Sequence, residues 1–87
     1  MTSRITEEFV HLFARLPPEI KSLARKNYRL WRENPSHPGL QFKRVSDQEP
    51  IYSVRIGLAW RALGLLDGDA MTWFWIGSHA DYDALIG

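Results

Sequence analysis

The hydrophobic pattern of this chain changes period once, near Asn34-Pro35, and that switch limits the fold more than any other feature. Before it, Phe9, Leu12, Phe13 and Leu16 follow the i, i+3, i+4, i+7 spacing of one helix face. Thr6 is a suitable N-cap, and Glu7 and Glu8 favour the positive end of that helix. Pro17-Pro18 ends it, and because proline is tolerated in a first turn the same pair can open a second helix. Ile20, Leu23, Ala24, Asn27 and Trp31 mark the inner stripe of this second helix, which stops at Asn34-Pro35. So tight a connection predicts an antiparallel hairpin of helices with facing apolar stripes.

Beyond the "PSHPG" loop the period becomes 2. Leu40 and Phe42 alternate with Gln41 and Lys43, and Tyr52, Val54 and Ile56 alternate with Ser53 and Arg55. After Gly57-Leu58-Ala59, Trp60, Ala62 and Gly64 fall on one side and Arg61, Leu63 and Leu65 on the other, a pattern of burial on both faces. Asp67-Gly68 is a hairpin-turn signal, and "AMTWFWI" reads as the last strand. Gly77 breaks the apolar run. Ser78, followed three residues later by Asp81, is a capping pattern for a short C-terminal helix, so His79 falls at a strand-to-helix corner. The expected fold is α+β in two layers, an N-terminal helical hairpin packed on one face of a mostly antiparallel sheet. The other face is left partly open and carries Lys43, Arg55 and Arg61.

With 87 residues the chain makes a single domain, residues 1–87, and its 45% hydrophobic and 13% aromatic content supplies one core and argues against disorder. The absence of cysteine excludes disulfides and thiolate zinc sites, and His11, His37 and His79 lie too far apart for a helix-borne metal pair. No metal and no cofactor is expected. The polar start "MTSRITEE" is unlike a signal peptide and no apolar run suits a membrane span, so a soluble, cytoplasmic protein is expected. A net charge of +1 hides a clustered distribution: Lys21, Arg25, Lys26, Arg29 and Arg32 fall together, while Asp67, Asp69, Asp81 and Asp83 lie near the C-terminus. The basic run is either a solvated helix face or a surface for phosphates.

The segments "LPPEIKSLARKNYRLWRENPSHPGLQFKRV", "YSVRIGLAWRALG" and "WFWIGSHADYDALIG", in this order, resemble the RelE/ParE superfamily of bacterial toxins from type II toxin–antitoxin modules. The "YSVR" strand, the arginine after an aromatic in "WRALG", and the "IGSHADYD" corner, similar to the "IG-x-H" ending of RelE- and HigB-like toxins, carry the resemblance. It implies two functions. RelE-like members are metal-independent, ribosome-dependent mRNA endonucleases, whereas ParE-like members inhibit DNA gyrase; an inactive antitoxin-binding homologue is a further alternative. It also implies a cognate antitoxin encoded nearby, whose carboxylates meet Arg55 or Arg61 over the open face. For a nuclease it implies His79, Arg61, Arg55 and Tyr82 as catalytic residues, with Lys43 and Arg44 binding RNA.

That assignment suits the chemistry of RNA cleavage, which needs the 2′-hydroxyl deprotonated, the 5′-oxygen protonated and the phosphorane charge stabilised. Histidine serves as acid or base near neutrality, and arginine's planar fork clamps phosphate oxygens. Tyr82 would stack on a base or orient His79. The plainer readings stand beside these: His79 partnered by Asp81 or Asp83, Arg61 partnered by Asp47, Glu49 or an antitoxin, and Trp60, Trp73 and Trp75 serving as core or antitoxin interface. Only Met1 to Ile5 precede the first helix, so the N-terminal strand common in the superfamily is expected to be short or missing. The low net charge favours the gyrase alternative.

Overall fold

Helix α1 (Glu7–Ala14) starts where its cap predicts: Thr6 is extended, and its hydroxyl oxygen accepts the Phe9 N–H at 3.1 Å. Helix α2 (Pro18–Glu33) opens directly on the proline pair. The computed structural model describes residues 2–86, and among them five strands follow the order β1-β5-β4-β3-β2 across one sheet. These are β1 (Thr2–Ile5), β2 (Lys43–Arg44), β3 (Ile51–Ile56), β4 (Trp60–Asp67) and β5 (Ala70–Ser78), with helix α3 (His79–Ile86) closing the chain. All neighbours are antiparallel except β1 with β5. The expected two-layer α+β architecture is therefore present.

Helix α1 lies over β5 and α2 over β3, both on one sheet face. Leu16, Ala24, Trp31, Val54, Ile56, Ala62, Met71, Trp73 and Ile76 form the buried core there, with Phe9, Phe13, Leu23 and Tyr52 packed against it. The helices do not press their stripes against each other as a hairpin would. Each stripe points down to the sheet, leaving an apolar cleft of about 470 Å³ between them, walled by Phe9, Val10 and Tyr28 and floored by Trp31 and Trp73. The Arg25 guanidinium sits 5.1 Å from the Phe13 ring centre across this gap.

One strand falls at the short end of the sequence expectation and one differs from it. The N-terminal strand is present, and β1 runs parallel along β5, covering what would otherwise be a free edge. The segment from Leu40 is strand only at Lys43 and Arg44, because Pro38–Leu40 forms a 3-10 turn and Gln41 adopts a left-handed φ of 45°. Leu40 is nonetheless only 1% exposed, and Phe42 stacks on Tyr52.

A further departure decides which residues line the sheet's second face. Gly64 pairs with Trp73 but its neighbour Leu63 pairs with Trp75, so Phe74 is an extra residue, a β-bulge in β5. Strict alternation would put Met71, Trp73, Trp75 and Gly77 on one face. The bulge instead keeps Met71 and Trp73 against the helices and turns Trp75 and Gly77 to the open side, with Ile76 back in the core.

Candidate active site

The open face is built in rows from the strand registers. Arg55 and Arg61 are direct partners across β3 and β4, and Arg61 is in turn opposite Gly77 of β5. One step along, Lys43, Ser53, Leu63 and Trp75 form the next row, in which Ser53 and Leu63 are buried, and beyond it lie Ile51, Leu65, Thr72 and Arg4. Like charges directly opposite each other destabilise a sheet. Here two arginines are so placed, and among the described residues neither meets a carboxylate: the Arg55 Nε donates to the Gly57 carbonyl at 3.0 Å, and an Arg61 terminal nitrogen to the Trp60 carbonyl at 2.9 Å. The expected partners Asp47 and Glu49 are not engaged with Arg61. Both guanidinium groups keep donors available for an anion.

His79 follows Gly77 by two residues, and its amide donates to the Ala59 carbonyl at 2.7 Å, tying the start of α3 to the loop between β3 and β4. That bond holds the corner two residues from Arg61 on one strand and two from Gly77 on the other, about 7 Å along each. Ser78 caps α3 as its spacing predicts, its hydroxyl oxygen accepting the Asp81 N–H at 3.1 Å. The imidazole is 46% exposed; its Nε2 lies 3.4 Å from an Asp83 carboxylate oxygen, and Tyr82 stacks on it at 5.9 Å between ring centres. Of the two carboxylates that sequence offered His79, the structure selects Asp83.

Tyr82 itself is only 5% exposed, so its ring supports His79 by stacking and has no open face for a base. Lys43 lies on the same face as Arg55, exposed at the sheet edge. Arg44 lies opposite Tyr52, on the helix side, with its Nε donating to the Ser46 carbonyl at 2.8 Å. The structure thus brings Arg55, Arg61 and His79 to one end of the open face, sets Lys43 beside them, and separates Arg44. Among the described residues no three His, Asp or Glu side chains gather where they could hold a metal ion. No helix of these residues is long and apolar enough to cross a membrane.

Three comparisons bear on this arrangement. The ParE-like toxin domain family matches residues 18–84. The chain belongs to that family. This ParE-like toxin domain shares its fold with several solved structures. RelE in a RelB-RelE antitoxin-toxin complex from Methanococcus jannaschii superposes with a TM-score of 0.75 at 14% identity, covering 95% of this chain and 98% of that one. YafQ from Escherichia coli strain BL21(DE3) gives 0.74 at 14% identity, covering 98% and 97%. The YoeB/ParE toxin from Agrobacterium tumefaciens gives 0.71 at 13%, covering 91% and 99%. No curated protein matches the chain in sequence.

Two features of the toxin's open face went unread in its sequence. Trp75 belongs to this face, and only the Phe74 bulge puts it there. Arg4, on the strand expected to be short or missing, adds a fourth cation. The basic run of α2 lies on the helix side instead, where Arg32 donates to the Tyr28 hydroxyl at 3.3 Å and Arg25 covers Phe13.

Proposed function

We propose that this toxin is a metal-independent, ribosome-dependent mRNA endonuclease. The observation that carries the reading is the direct opposition of Arg55 and Arg61 without a carboxylate, beside a solvent-accessible histidine. Two facing guanidinium groups fit the non-bridging oxygens of one phosphate and the extra charge of its phosphorane. His79 acts as general acid or base through the ring nitrogen that Asp83 does not face, with Asp83 and the Tyr82 ring fixing its orientation.

The test is single-turnover cleavage of mRNA on programmed ribosomes. His79→Ala lowers the rate by roughly 10²–10⁴-fold, and Arg61→Gln by about 10²–10³-fold. The two combine less than additively if both act on one phosphate. A toxin that arrests growth, cuts no mRNA, and stays equally toxic as His79→Ala would overturn this reading. The second reading, inhibition of DNA gyrase, is supported by the ParE-like family match and the net charge of +1. Gyrase supercoiling assays separate the two targets.

The partner proposed alongside this activity is an antitoxin encoded nearby. The open face is one place for it; the cleft between α1 and α2 is better supported. Its rim exposes Ile5, Val10 and Tyr28 around an apolar lining. The apolar face of an amphipathic helix would cover such a cleft. Val10→Asp should then weaken co-purification with the neighbouring gene product, whereas Arg61→Gln should not. The reverse result would move the antitoxin to the open face.

A further inference from the structure

Trp75 has no role in the chemistry above, yet its placement is specific. The bulge at Phe74 turns it out of the core onto the open face, where it remains half-buried. The six-membered part of its indole rests over Gly77: a Cβ added at that glycine would come within 2.7 and 2.9 Å of Trp75 ring carbons. Gly77 is the strand partner of Arg61. The missing side chain therefore lets a flat aromatic ring lie down beside the arginine pair.

The charge that the strands place around this ring has one sign. Arg4, Lys43, Arg55 and Arg61 all project from the same face, and among the described residues none forms an ion pair with a carboxylate. The acid on these strands, Asp67, lies six residues from Arg61, about 20 Å along β4. A sheet face that combines an aromatic ring with cations on either side has the chemistry of single-stranded nucleic-acid recognition, in which bases stack on rings and phosphates meet guanidinium groups. A duplex, whose bases are already stacked, has no use for such a ring.

We infer that Trp75 is the base-stacking platform of this face, holding a nucleobase of single-stranded RNA while the adjoining phosphate lies across Arg55 and Arg61. The inference rests on the nuclease reading and adds to it the residue that positions the substrate strand. It also explains Gly77, since any larger residue would lift the indole from its seat.

The experiment measures binding of a short, fluorescently labelled single-stranded RNA to the full chain by anisotropy at low ionic strength, where phosphate contacts are strongest. A second oligomer of the same length carries abasic residues in place of its nucleotides. Trp75→Leu should weaken binding of the normal RNA on the order of 10- to 100-fold, the range for loss of one stacked base. It should leave binding of the abasic oligomer unchanged. Trp75→Phe should retain most of the affinity, and Gly77→Ala, which keeps the indole but displaces it, should lose affinity in the same direction as Trp75→Leu. Circular dichroism and melting temperature show whether each variant is folded, and Gly77→Ala with Trp75→Phe keep the test decisive if Trp75→Leu is not. Equal affinity of wild type and a folded Trp75→Leu for the normal RNA, or equal loss on both oligomers, overturns the inference. Ribosomal cleavage by a folded Trp75→Leu at the wild-type rate and KM would leave the nuclease reading standing without it. Absence of cleavage by the wild type refutes the reading separately.

Discussion

Replacing Gly64 by alanine tests the packing that fixes the bulge and therefore the composition of the open face. Gly64 is buried and faces Trp73 across β4 and β5, on the step just before Phe74 is inserted. A Cβ there would stand 2.6 Å from the Met71 sulfur and 2.7 and 3.1 Å from two Trp73 ring carbons. Carbon contacts are comfortable near 3.5–4.0 Å, so both neighbours must retreat by about 1 Å. Met71 is fully buried, so its sulfur can retreat only by repacking its neighbours. Trp73 borders the cleft, but moving into it breaks the edge-to-face contact with Trp31, whose centroid lies 5.1 Å away. Overpacking of this kind costs about 1–3 kcal/mol, and with one rigid neighbour and one flexible but enclosed we expect about 2 kcal/mol. In a domain of this size that lowers the melting temperature by about 8–16 °C. Thermal unfolding followed by near-ultraviolet circular dichroism, which reads the tryptophans directly, measures it. A melting temperature within about 2 °C of wild type would show that Trp73 and Met71 are not held as described, and the register argument would fall with them.

Four further outcomes follow from the same contacts. Under the nuclease proposal, in which Asp83 orients His79 without touching substrate, Asp83→Asn should lower kcat for mRNA cleavage with little change in KM; an unchanged kcat would make the 3.4 Å contact incidental. Thr6→Ala removes the cap on the Phe9 N–H and should cost about 1 kcal/mol in urea unfolding. Phe13 is half-buried at the cleft wall, so Phe13→Ala should cost about 2 kcal/mol, less than the 3–5 kcal/mol of a fully buried phenylalanine; an unchanged melting temperature would remove it from the core. If three or four open-face cations meet single-stranded RNA, the logarithm of the binding constant should fall with the logarithm of salt with a slope of about −2 to −3. A slope near −6 would mean that the basic run of α2 binds as well.

The helices were legible because each end carries its own local signal: Thr6 as a cap, the proline pair as a breaker, Ser78 with Asp81 at the last corner. The faces of β3 and β4 were legible too, since alternation assigns Arg55 and Arg61 to the side opposite Val54 and Ala62. What alternation does not encode is an inserted residue. Phe74 is as apolar as its neighbours, and nothing in "MTWFWI" marks it as unpaired. The sheet reveals it only because Gly64 meets Trp73 while Leu63 meets Trp75. β1 is as short as expected, but its pairing was not legible for a related reason: a four-residue parallel partner needs no turn signal, and its register depends on β5, far away in sequence. His79 was visible as a corner residue, but its choice of Asp83 over Asp81 is a matter of helix geometry, since residues four apart share a face.

The same segregation of faces changes what the net charge means. A sum of +1 over 87 residues reads as a weak match for a polyanion, and that sum favoured the gyrase alternative. A bound phosphate, however, responds mainly to charges within about one Debye length, roughly 8–10 Å at physiological or moderately lower salt. Within that distance of the Arg55–Arg61 step the strands contribute guanidinium groups and no acid, and Asp67 stands about two Debye lengths away. Asp83, the acid nearest the corner, is turned to His79. Half of the ten acids that bring the sum down sit elsewhere: Glu7 and Glu8 at the start of α1, Glu19 in the first turn of α2, Asp67 and Asp69 at the far hairpin. The local field over the open face is therefore positive whatever the total, and the +1 does not weigh against RNA at this site.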